Sequence, residues 1–124
     1  MYELSKSKIN VGDIILKNRT VSSPVSINMA NKDGTVSKNI VSYFSNLAKN
    51  DLAMVTVGAV SVSNEGGDTY NGMHAGKKIH FQGLKNLCDS IKKYDAAATI
   101  QLFHVGAQGN TNYSNQRVVG PSKY

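Results

Sequence analysis

The segment from Ala97 to Gly106, read with Ala96 as AAATIQLFHVG, constrains this chain more than any other. It begins with small apolar residues, continues as a β-prone run from Thr99 to Phe103, and stops at His104-Val105-Gly106. An apolar run this short, bounded on its far side by Gly and Asn, suits a strand buried on both faces. Gln101 falls inside that strand. A buried primary amide has donors and an acceptor that need partners. Two readings are open: the amide bonds neighbouring backbone, or it meets a polar heterocycle lying across the strand ends.

The chain upstream alternates between strand and helix patterns. Residues 1–18 read as a preamble in which two apolar pieces flank Gly12-Asp13, a small hairpin with its turn at Asn10 to Asp13. Arg19 to Val25 reads as a first longer strand. Pro24 cannot donate to a ladder and should end it, leaving Pro24, Val25 and Ser26 at the carboxyl edge. Ile27 to Val36 is a loop with the turn pair Asp33-Gly34. Ser37 is a candidate N-cap for a helix from about Asn39 to Lys49, with Val41, Phe44 and Ala48 at helical spacing and Leu47 beside them. Leu52 to Val57 reads as a second buried strand, with the small residues Gly58 and Ala59 at its end.

Ser61 to Gly76 is a long loop rich in Ser, Asn and Gly, of the kind that often carries function. A second helix is expected from Ile79 or Phe81 to Tyr94, because Leu84, Leu87, Cys88 and Ile91 repeat at i, i+3, i+4, i+7. Asp89 and Lys93 are placed for an i, i+4 pair. Alternating β and α units imply a parallel sheet with right-handed crossovers, whose ligands bind at the strands' carboxyl ends. Those ends carry Pro24 to Ser26, Gly58-Ala59 and Gln101 to His104, three sets expected on one rim.

Composition sets outer limits. The 124 residues, 40% hydrophobic and 18% charged, suffice for one globular core. The net charge of +6 comes from scattered lysines, without a dense basic run or basic-aromatic alternation, so a solvated basic surface is expected and no nucleic-acid partner. No apolar run reaches the ~18 residues of a membrane span. The N-terminus MYELSKSKIN has no apolar core of a signal peptide, so a cytoplasmic setting is expected and the glycosylation triplets at Asn18 and Asn112 carry no meaning. The single cysteine, Cys88, excludes an internal disulfide and reads as a small core residue.

LKNRTVSSPVS (Leu16 to Ser26), SVSNEGG (Ser61 to Gly67) and IQLFHVG (Ile100 to Gly106), in this order, resemble the N-terminal part of the old yellow enzyme family. Gly120-Pro121-Ser122 resembles that family's Ala-Pro-Ser after the third strand. The resemblance covers roughly residues 8 to 122. It implies an α/β fold, a partial (β/α)8 TIM barrel with an N-terminal hairpin followed by β-α-β-α-β parallel units, residues 1–124 forming a single incomplete domain. It also implies FMN as cofactor, NADH or NADPH as reductant, and hydride transfer through flavin N5 to a small-molecule acceptor such as an activated alkene.

Carried over position by position, the resemblance makes Pro24, Val25, Ser26, Ala59 and Gln101 the cofactor-binding set. Ser26 stands where the family usually has Thr or Cys. Gln101 matches the glutamine that bonds the pyrimidine side of the ring. His104 and Gly106 match the family's His-x-Gly-Arg, but Ala107 replaces the Arg. A complete barrel takes about 250 residues and eight strands, and this sequence supplies three. The family's substrate-anchoring His/Asn pair, proton-donor Tyr and flavin-phosphate site lie beyond the matched stretch, so no catalytic residue is assigned. Two functions compete: the N-terminal part of an FMN-dependent oxidoreductase, whose missing C-terminal partner comes from a longer parent, a complementing second chain or a disrupted gene, and a truncated non-catalytic remnant or fragment that dimerises through its open edge and binds flavin weakly or not at all.

Overall fold

In the computed structural model, residues 2–67, 70–114 and 117–122 are described. A single turn, α1 (Glu3–Lys6), precedes an antiparallel hairpin of β1 (Ile9–Val11) and β2 (Ile14–Leu16), as the sequence predicts. Gly12 sits in the turn at φ +56°, a left-handed conformation that favours glycine. The hairpin is latched to the body at one end. Lys17 donates to the Tyr94 carbonyl at 2.9 Å and pairs with Asp51 at 3.2 Å. The buried Asn18 donates to the Asp51 carbonyl and accepts from the Thr20 N–H.

The body is a parallel sheet carrying two helices on one face. β4 (Met54–Ser61) is its spine. β3 (Val21–Ser22) pairs with Met54 and Val55, β5 (Met73–His74) pairs with Val60 and Ser61, and β6 (Ala97–Phe103) runs along the opposite side of β4. All three pairings are parallel. The first expected strand, Arg19 to Val25, contracts to two residues, since Pro24 has no N–H to give a ladder. The second strand is longer than expected and runs through Gly58-Ala59 rather than ending there. The loop from Ser61 to Gly76 contains β5, a two-residue strand too short to leave a periodic signal.

α2 (Lys38–Lys49) and α3 (Lys78–Lys92) form because each has one apolar stripe and a sheet to bury it against. The Ser37 hydroxyl accepts from the Ile40 N–H at 3.3 Å, the N-cap read from the sequence. α2 buries Ile40, Phe44 and Ala48, with Val41 and Leu47 half-buried at the flanks. α3 buries Leu84, Leu87 and Ile91. Cys88 is half-buried, and burial pushes its thiol pKa up. Val55, Val57 and Val60 of β4 complete this core. The Ser45 hydroxyl donates to that of Ser90 at 2.9 Å, linking α2 to α3. Asp89 pairs with Lys85 at 2.6 Å, so the expected Asp89–Lys93 side-chain pair gives way to the preceding turn.

The expectation that β6 is buried on both faces is not met. Ala98 and Ile100 pack against the core, but Gln101 is exposed and Leu102 is 64% exposed. β6 is an edge strand, and the two helices cover the neighbourhood of β4 rather than all of β6. On the opposite face the Thr99 hydroxyl donates to that of its cross-strand partner Thr56 at 2.9 Å. Beyond β6 lie a 3₁₀ turn at Gly106–Gln108 and a short helix, α4 (Thr111–Ser114). Among the described residues no helix is long and apolar enough to cross a membrane.

Candidate cofactor site

An irregularity in β4 builds the site. Val57 pairs with Ile100 and Val60 pairs with Leu102, so Gly58 and Ala59 together face Gln101 alone. Such a bulge bends the strand and re-aims the residues that follow. Gly58 is buried, and a Cβ there would lie 2.9 Å from the Cβ atoms of both Pro24 and Gln101 and 3.2 Å from Gln101 Oε1. Carbon atoms pack at about 3.5–4.0 Å, so a side chain at Gly58 would push the three strand ends apart. The Ser26 hydroxyl accepts from the Ala59 N–H at 3.0 Å, which ties the segment after β3 to the bulge. Accepting through oxygen leaves the Ser26 hydrogen free to donate elsewhere.

The structure therefore brings together four of the five positions singled out in the sequence, Pro24, Ser26, Ala59 and Gln101. Pro24 and Ser26 flank the bulge and Val25 lies between them in the chain. All three are exposed. Ala59 is half-buried in the bulge. Gln101 stands opposite, but its expected burial is corrected: the residue is exposed at an open rim. Its amide makes no backbone hydrogen bond among the described residues. His104 sits just beyond. Its Nδ1 accepts from the Gly106 N–H at 3.0 Å, and its ring lies so close to Gly66 that a Cβ there would come within 2.6 Å of it.

Two histidines that the sequence reading passed over support this rim from behind. His80 is 1% exposed. Its Nδ1 accepts from the Lys77 N–H at 3.2 Å, so the proton resides on Nε2, which donates to the Asp33 carbonyl at 3.1 Å. His74 lies beside it, ring centroids 5.9 Å apart. A detectable signal was present: His80 is three residues after Lys77, the position from which a side chain reaches back to a helix's first N–H. Starting the helix at Ile79 or Phe81 hid it. Nearby, hydrogen bonds from the Thr35 hydroxyl and N–H hold the Asp33 carboxyl below its usual pKa.

Residues 7–124 match the sequence model of the NADH:flavin oxidoreductase / NADH oxidase family. The chain belongs to that family. Within the family it is 25% identical over 103 residues to an NADH oxidase of Thermoanaerobacter brockii, covering 82% of this chain and 16% of the relative. It is 36% identical over 91 residues to an uncharacterized oxidoreductase of Streptococcus pyogenes, covering 73% of this chain and 23% of the other. Among solved structures, the old yellow enzyme homologue of Zymomonas mobilis superposes with TM-score 0.87 at 19% identity, over 95% of this chain and 33% of that one. A 2-naphthoyl-CoA reductase superposes with TM-score 0.89 at 25% identity, over 94% of this chain and 18% of the other. The chain thus spans between 16% and 33% of the length of these family relatives. Its fold is a partial (β/α)8 barrel, the N-terminal part of the family's barrel.

The family is FMN-dependent, and the rim's chemistry suits a flavin ring. A flat heterocycle needs apolar contact on one face, which the exposed Pro24 and Val25 can offer. Its polar edge needs donors and acceptors, which the Ser26 hydroxyl and the Gln101 amide can supply.

Proposed function

We propose that this chain supplies the ring-binding rim of an FMN-dependent NAD(P)H oxidoreductase, ene-reductase-like, acting as the N-terminal part of the enzyme. The observation that carries this reading is the convergence of Pro24, Gly58 and Gln101 with the Ser26–Ala59 hydrogen bond at the strand ends. Bound FMN would supply the redox chemistry, with hydride taken from NADH or NADPH and passed on to an activated alkene or similar acceptor.

The residues of this chain bind and orient. Pro24, Val25 and Ala59 offer apolar contact to a ring. Ser26 is held by the Ala59 N–H with its own hydrogen available to a polar edge. Gln101 offers a donor and an acceptor together, suited to a pyrimidine edge. The catalytic groups that handle the acceptor are assigned to the rest of the barrel, whether it belongs to a longer parent, a complementing second chain or another copy. The exposed Leu102 and the unpaired side of β6 favour this reading, because an open strand edge is a template for further pairing. The alternative, a non-catalytic remnant, draws on the same openness.

The deciding experiment adds FMN to the purified chain, passes it through a desalting column, and records the visible spectrum with the intact mass. Retained, perturbed flavin absorbance at the mass of the 124-residue chain supports the site. A colourless protein of that mass means that the isolated chain does not hold the cofactor, and the remnant reading stands for it.

A further inference from the structure

Two loops adjoin the rim, one from β3 to α2 and one from β4 to β5, and the His74 side chain lies between them. His74 packs directly on Gly34 of the first loop, where a Cβ would come within 2.5 Å of the imidazole Cδ2. Gly34 has φ +79°, so both the space and the backbone there exclude a side chain. The other edge of the ring faces Gly67 of the second loop, whose Cβ would meet Cε1 at 3.3 Å. The backbone repeats this clamp: the His74 N–H donates to the Gly34 carbonyl at 3.0 Å, and the Ala30 N–H donates to the Asn71 carbonyl at 2.9 Å.

His74 is also a partition wall. On one side it lines a small cleft together with Ser26, Asn28 and Ala59, which belong to the rim. On the other it lines a wider, polar cleft of about 220 Å³. Charged and titratable groups face that cleft from each element around it: Lys32 and Asp33 from the first loop, Tyr70 from the second, Lys77 from the start of α3. His80 adds its ring from α3. The His74 Nδ1 is buried and has no hydrogen-bond partner among the described residues. A ring so placed is suited to be neutral, since a second proton would put a charge in a largely desolvated site beside Lys77.

We infer that neutral His74 is the positioning residue of the cofactor rim, wedging the loop that carries Ser26 against the loop that follows Ala59. The inference rests on the FMN reading for its purpose, though not for its geometry. Burial first, then His80, lowers the His74 pKa from 6.5, with the Ser63 backbone opposing. The sign follows. Folding favours the neutral ring, so its stabilising contribution is complete above the free imidazole's 6.5 and is lost as pH falls through the lower folded value.

The test uses the full chain, labelled for NMR and titrated from about pH 8 to about pH 5, the range in which an imidazole changes charge. The Gly34, Gly67, Ser26 and Ala59 amides are expected to shift with the midpoint of the His74 ring proton. In His74→Phe, which keeps a flat ring and cannot titrate, they should stay still over that range; His74→Gln serves if the phenylalanine variant does not fold. In parallel, wild-type FMN affinity should fall by about fivefold or more on the acid side, the lower range of a site-to-site coupling, while the variant's affinity stays flat. Ser26 and Ala59 amides that ignore the His74 titration, or that move equally in the variant, overturn the inference. If no form binds FMN at any pH, the functional reading fails for the isolated chain, and the amide shifts still decide whether His74 sets the rim.

Discussion

The two faces of this sheet solve different problems. The face toward α2 and α3 is closed: Val55, Val57, Phe44, Leu87 and Ile91 are fully buried, and every element there covers another. The opposite face is open: Thr56 and Thr99 are half-buried, and Gln101 is exposed at the rim. The closed face accounts for why 124 residues can fold around one core. The open face leaves the Gln101 amide exposed, where a ligand or a further strand can meet it. Stability and function are divided between the two sides of one strand, β4.

The largest expected effect lies on the closed side. Phe44→Ala removes the bulkiest side chain of the core, and a loss of about 3–5 kcal/mol is expected from lost burial and the cavity left behind. Urea unfolding followed by circular dichroism measures it, and a small loss would mean the closed face is not what holds the chain together. The open side should behave in the opposite way. Gln101→Leu should leave the urea midpoint within the roughly 0.5 kcal/mol spread of surface changes. It should weaken FMN binding roughly tenfold, the scale of one lost hydrogen bond of about 1.4 kcal/mol. Flavin fluorescence titration reads the second quantity, and a stability loss without an affinity loss would reverse the comparison.

Ser26→Ala is expected to fall between them. It leaves the Ala59 N–H without its acceptor, so hydrogen exchange at Ala59 should speed up while FMN affinity drops about fivefold, near 1 kcal/mol. Unchanged exchange at Ala59 would show that the hydroxyl does not hold the bulge. The smallest effect is expected at the exposed Lys85–Asp89 pair. Asp89→Asn should not move the urea midpoint measurably, because solvent screens such pairs.

Much of the closed face was legible in the sequence because its signals are local. The Ser37 cap and the Leu84, Leu87, Ile91 period each depend on neighbours within a few residues. The five rim positions were reached through the family resemblance, and four of them, Pro24, Ser26, Ala59 and Gln101, lie together at the bulge. What escaped depended on partners far along the chain. β5 exists because Met73 and His74 find Val60 and Ser61. The exposure of Gln101 follows from which elements cover β6, and no run of apolar letters carries that information. His74 was overlooked because a histidine wedged between loops obeys no period, whereas the cap signal at His80 was hidden by starting the helix at Ile79 or Phe81.

The bulge at Gly58-Ala59 has a consequence for anyone who redesigns this chain. Before it, the odd-numbered Val55 and Val57 point into the core; after it, the even-numbered Val60 does. The bulge is a phase shift in the strand's inside–outside alternation, and everything downstream in β4 is written in the shifted frame. Deleting one of its two residues would close the gap in the ladder and leave Val60 opposite Leu102, still facing the core in an unbroken alternation. A residue lost elsewhere in β4 would be read along the strand like a frameshift, whereas one lost at the bulge would be absorbed there.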